Sequence, residues 1–169
     1  MPNPWLSLPH PWVAVTATAA LVGLVIWLMA PSRALLKNDV APKYIASLEL
    51  APNAARANAV IESWRHAGVL DAAKRNIALD CLFIPAYTTL LALLWFAAAS
   101  ALRGRLPGVA SFVTVWGWAM WGAGLLDYVE NFCDYRMLEH GATDGLARVS
   151  SVCATVKFIV TLVFVKILF

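Results

Sequence analysis

The amino-acid sequence predicts an all-α fold: a polytopic membrane protein with a bundle of four transmembrane helices and an amphipathic helix in its first cytoplasmic loop. Three observations carry that expectation. Hydrophobic side chains make up 61% of the 169 residues and charged ones only 14%, where a soluble chain carries about a quarter. Mean hydropathy is +0.70. The charges also fall in bunches between long uncharged runs, the pattern of spans and loops rather than of a water-covered core.

The first run covers residues 12–30 and ends in Pro31, Ser32 and Arg33. It is close to the roughly 20 helical residues that cross a hydrocarbon layer. Ala19 and Gly23 form a small-xxx-small pair that lets a neighbouring helix approach. Upstream lie Pro2, Pro4, Pro9 and Pro11 without a lysine or arginine, so the basic region of a signal peptide is lacking and the span is expected to be retained. A second span is expected at 77–102, with Asp80 in its first turns. A third follows at 107–132 after a short connection of Arg103, Gly104, Arg105 and Pro107. The fourth, 147–167, is interrupted by Lys157 and reads as a short span, with a helix lying at the interface as the alternative. Ser150, Cys153, Lys157 and Thr161 recur there on one helical stripe, which suits a face turned into a bundle.

Residues 31–76 are too few for a separate domain, so the whole chain, 1–169, reads as a single membrane domain. Pro52 and Asn53 mark a helix start, and Ala57, Val60, Ile61 and Trp64 follow at i, i+3, i+4 and i+7 up to Gly68. This amphipathic helix is expected to lie on the membrane surface or to cap the bundle.

Lysines and arginines set the orientation. Arg33, Lys37, Lys43, Arg56, Arg65, Lys74 and Arg75 populate the first connection, and Arg136 and Arg148 flank the third. Only Arg103, Arg105 and Lys166 lie on the opposite side. The positive-inside rule then puts 31–76 and 133–146 in the cytoplasm and both termini outside, in what is expected to be a plasma (inner) membrane. The net charge of +3 is distributed as membrane flanks and predicts no nucleic-acid partner. Cys81, Cys133 and Cys153 form no CxxC pair and are expected to be free thiols.

The chemistry concentrates in polar residues within apolar spans, where ionisable groups are costly and usually functional. Asp127, Glu130 and Asn131 share an arc of about 100° on the third span, with Trp116 and Met120 farther along that face. Asp80, Ile84, Tyr87 and Leu91 form a stripe on the second. With Lys157 from the fourth, these predict a polar pocket near the cytoplasmic leaflet whose ligand-binding residues are Asp80, Tyr87, Trp116, Asp127, Glu130, Asn131 and Lys157. The alternative is a set of helix-end charges that snorkel to water, plus one ion pair that holds the helices in register.

Helix depth predicts the pairing. At about 1.5 Å per residue, Lys157 lies about 15 Å and Asp127 about 10 Å from the cytoplasmic boundary. Side chains lean toward their own helix N-terminus, so the two tilts close the gap and Lys157 should meet Asp127 or Glu130. Asp80 leans the other way and should be the more solvated acid.

No span contains a histidine, and neither a Glu-x-x-His motif nor a haem-ligating pair is present. No metal and no cofactor are therefore expected. The leading functional expectation is binding or handling of a lipid or other amphiphile in the bilayer. Two alternatives stand beside it. One is an intramembrane acid/base enzyme acting on a lipophilic substrate, with Asp127 or Glu130 as the catalytic candidate. The other is a small transporter or accessory subunit, with a homo-oligomer or a membrane complex as partner.

Overall fold

The computed structural model describes the backbone of residues 1–168 and the side chains of residues 1–161. Among them there is no strand. A 3₁₀ turn at Pro4–Ser7 precedes six α-helices: α1 (Pro11–Leu36), α2 (Ala46–Glu49), α3 (Ala54–His66), α4 (Leu70–Leu102), α5 (Pro107–His140) and α6 (Asp144–Leu168). Three of these, α1, α4 and α5, are long and apolar enough to cross a membrane. On α1 the residues Trp12, Val13, Leu21, Leu24 and Trp27 stand exposed, a stripe suited to lipid and unlike a water-facing surface. The expected fourth span runs in part through residues 162–167, including Lys166, which lie outside the described side chains.

Helix ends depart from the expectations in one direction. α1 continues through Pro31 to Leu36, α4 begins at Leu70 rather than 77, α5 continues to His140 rather than 132, and α6 begins at Asp144 rather than 147. Loss of hydropathy marks where an apolar run ends, whereas a helix ends where its backbone is stopped. The stop signals are Gly141, at φ 84°, and Gly68, at φ 69°, both in the left-handed region that favours glycine.

The long helices pack in chain order, α1 on α4, α4 on α5 and α5 on α6. Close approach of α4 and α5 rests on Gly124, where an added Cβ would stand 2.9 Å from Thr88 Cγ2. Pro85, inside α4, removes the N–H that would bond to the Cys81 carbonyl. The Tyr128 hydroxyl of α5 donates to that carbonyl instead, at 2.9 Å, so the gap in the α4 ladder becomes a tie between helices.

The α1–α4 connection forms a cap over one end of the helices. Trp64, Val60, Ile61, Leu36, Leu48, Met137 and Leu138 share a buried cluster, and Trp64 Nε1 donates to the Leu36 carbonyl at 2.9 Å. Asn53 caps α3 by accepting from the Arg56 N–H at 3.0 Å. The Ala54 N–H donates to Asp144 at the start of α6, at 2.8 Å. Asn58 accepts from the Ala142 N–H and donates to the Ala142 carbonyl. These bonds fix α3 to the α5–α6 turn. At the opposite end, Asn3 donates to the Phe96 carbonyl and Ser100 Oγ, closing the N-terminal turn against α4.

Candidate functional site

Lys157 is buried on α6. Its Nζ donates to Asp127 Oδ1 at 2.6 Å and to Glu130 Oε1 at 2.9 Å, the contact that the depth argument predicts. The second Asp127 oxygen accepts from the Tyr87 hydroxyl at 2.7 Å. A single carboxylate thus ties α4, α5 and α6 together. Half-buried Asp80, more exposed than Asp127 or Glu130, accepts from Asn131 Nδ2 at 2.8 Å.

Two acids absent from the expected site complete the cluster. Glu49, at the end of α2, and Asp134, on α5, are buried beside Glu130, and each of the three offers a carboxylate oxygen within 4.8 Å of the others. Ser150 donates to Asp134 Oδ1 at 2.6 Å. Glu130 Oε2 and Asp134 Oδ2 are buried without a hydrogen-bond partner. Unpartnered buried oxygens of this kind are costly unless a proton or cation is shared between them. Three hard oxygen donors are the arrangement among the described residues best suited to hold Mg²⁺ or Ca²⁺.

Asp134 was legible in the sequence. It follows Asp127 and Glu130 at i+7 and i+4, so one α5 stripe carries all three acids. Glu49 leaves no such trace, because only the folding of the cap carries it to α5.

Beside the cluster a cavity of about 460 Å³ is bounded by α1, the α2 segment, α4, α5 at Asp127, and α6. Its polar part presents Arg33, Tyr44, Glu49, Asp80, Asp127, Lys157 and Tyr87; Val22, Met29, Phe83, Leu90, Leu91 and Phe158 continue it as apolar wall. Glu130 and Asn131 stand behind this lining, holding Lys157 and Asp80. Trp116 is placed elsewhere. It packs near Trp95, with ring centroids 6.5 Å apart, and against Phe112 at 6.0 Å. The shared arc on α5 extends for several turns, and over that distance Trp116 and Met120 enter a separate aromatic cluster with Phe96.

Burial pushes the Glu49 carboxyl above the usual range, with Lys157 pulling it back in part. An acid whose folded pKa is raised binds its proton more tightly in the folded state. Its effect is absent below the unfolded pKa of about 4.3 and becomes destabilising as pH rises above it. Glu49→Gln, which does not titrate, is therefore expected to melt higher than wild type at pH 7.5 and to lose that advantage near pH 4. Melting curves of both proteins in one detergent at the two pH values test this; an advantage that does not change with pH would refute it.

The arrangement defines a helical protein with membrane-length apolar helices and a buried, acid-rich cluster at the wall of an amphipathic cavity. Comparison with protein-family models, curated proteins and solved structures gave no match.

Proposed function

We propose that this is an integral membrane protein of four transmembrane helices, α6 being the fourth, that binds a lipid or other amphiphile in the cavity between α1, α4 and α6. In this reading residues 31–76 and 133–146 face the cytoplasm, the termini lie outside, and the membrane is the plasma (inner) membrane. The amphipathic α3 then belongs to a cytoplasmic cap. The observation that carries the reading is the cavity itself, an open cleft of about 460 Å³ lined both by charged groups and by apolar wall. Ligand sites of several hundred Å³ with a few convergent polar groups suit a small amphiphile or part of a lipid.

The acid/base alternative has less support. Asp127 already holds Lys157 Nζ on one oxygen and the Tyr87 hydroxyl on the other, so a substrate proton would have to compete with both partners. Glu130 lies behind the cavity wall rather than on it.

Mass spectrometry of the native protein released from mild detergent tests the proposal. The expected result is a retained lipid or amphiphile, removed by exhaustive detergent exchange and restored by lipid addition with a rise in melting temperature. Protein that carries no lipid and shows no thermal shift with any lipid class would overturn it. A stoichiometric partner chain in place of lipid would favour the accessory-subunit reading.

A further inference from the structure

Resting on the amphiphile reading, we infer that the cavity selects phospholipids whose headgroup ends in an ammonium, with Asp80 and Glu49 receiving the ammonium and Arg33 the phosphate. The argument is one of charge already committed and charge still open. Lys157 is engaged by two carboxylates, at 2.6 and 2.9 Å. It therefore has little capacity left to capture an anionic headgroup. Asp127 is equally occupied, each of its oxygens accepting a hydrogen bond.

The open charges on the cavity wall are different groups. Asp80 uses one oxygen to accept from Asn131, a neutral donor that leaves its negative charge unbalanced. Arg33 has no ion pair among the described residues, and its guanidinium donates only to the Met29 sulfur, at 3.9 Å. Glu49 has none either, but its carboxyl is shared with the Glu130 and Asp134 cluster, so it stands second to Asp80 as a receiver of positive charge. One open carboxylate, a second acid beside it and one open guanidinium complement a zwitterion whose positive end goes to the acids.

Placement agrees with this assignment. Arg33 is in the last turn of α1, at the capped end. Phe83 and Tyr87 line the cavity beside Asp80 with their rings 5.0 Å apart, and such faces attract cations. The apolar wall explains why the cation should carry a hydrocarbon chain, which a bare metal ion does not. An anionic lipid would set its charge against Asp80 and Glu49 without a free lysine to balance it.

The experiment compares delipidated protein with phosphatidylethanolamine, phosphatidylcholine, phosphatidylglycerol and diacylglycerol of matched acyl chains, by thermal shift and native mass spectrometry. Phosphatidylethanolamine is expected to bind at least about tenfold more tightly than phosphatidylglycerol, since one charge-assisted hydrogen bond from its N–H accounts for a factor of that order; phosphatidylcholine, which has no N–H to donate, is expected between the two, held by charge and the aromatic faces. Asp80→Asn should remove most of that preference from both sides, weakening the ammonium lipids and, with the opposing charge gone, strengthening phosphatidylglycerol. Arg33→Gln should weaken the phospholipids but not dodecylamine, which has the ammonium and no phosphate. Should Asp80→Asn fail to fold, Glu49→Gln, expected to be the more stable protein, carries the same test. Equal binding of phosphatidylglycerol, or a preference that survives both acid substitutions, overturns the inference and leaves the amphiphile reading intact. Absence of binding by every lipid overturns that reading itself.

Discussion

Lys157→Met is expected to destabilise the folded protein by about 3–5 kcal/mol, a range set by the cost of leaving a buried charge without its partner. The lysine is 8% exposed, Asp127 3% and Glu130 0%, so neither acid can turn to water when the ammonium is removed. Methionine keeps most of the side-chain length, so the loss is electrostatic rather than a cavity. The two carboxyls would then take up protons or force α5 away from α6. The triple variant Lys157→Met, Asp127→Asn, Glu130→Gln separates these effects. Neutral groups of similar shape remove both the charges and their desolvation cost, and buried ion clusters replaced in full are often neutral for stability. Most of the lost stability should return in the triple variant, measured by thermal melting and by the monodisperse fraction on gel filtration. If Lys157→Met alone melts like wild type, the ion pairs carry no structure, and helix-end charges snorkelling to water become the better description.

The apolar runs made the long helices legible, because about 20 uncharged residues in a row admit few other structures. The Lys157 contacts were legible for a more specific reason. Depth along a helix and the lean of side chains toward its N-terminus are fixed by backbone geometry, so two residues on antiparallel helices can be levelled by counting. Counting failed where position depends on the connection. Glu49 reaches α5 only because the chain between α1 and α4 folds back as a cap, and no local periodicity in that stretch encodes the return. Asp134 falls within 133–146, which the charge count assigns to the cytoplasmic connection, although it completes the stripe begun by Asp127 and Glu130. Trp116 erred the other way. It shares a face with the acids but stands three turns from them, and a face that long serves both the polar cluster and the aromatic packing around Phe96.

Trp64→Ala is expected to cost about 3–5 kcal/mol, the range for deleting a large aromatic from a packed core, and to do so in the cap alone. Trp64 is 0% exposed and sits at the centre of the cluster that joins α3 to Leu36, Leu48, Met137 and Leu138. Its removal also leaves the Leu36 carbonyl without its donor, at a point where α1 has ended and no backbone N–H replaces it. Trp64→Phe keeps most of the bulk and loses that bond, so it should cost about 1 kcal/mol. The long helices also pack on one another beyond this cluster, α1 on α4, α4 on α5 and α5 on α6, and should stay paired. Trypsin reports the difference. Lys43, Arg56 and Arg65 lie in the connection, and cleavage there should become fast in Trp64→Ala while the fragment carrying α4 to α6 survives. Because Glu49 reaches the cavity only through the cap, the same substitution should erase the pH-dependent advantage of Glu49→Gln, a coupling that a double-mutant cycle reads directly. Trypsin resistance equal to wild type in Trp64→Ala, or a Glu49→Gln effect that persists in that background, would mean that contacts other than Trp64 hold Glu49 in place.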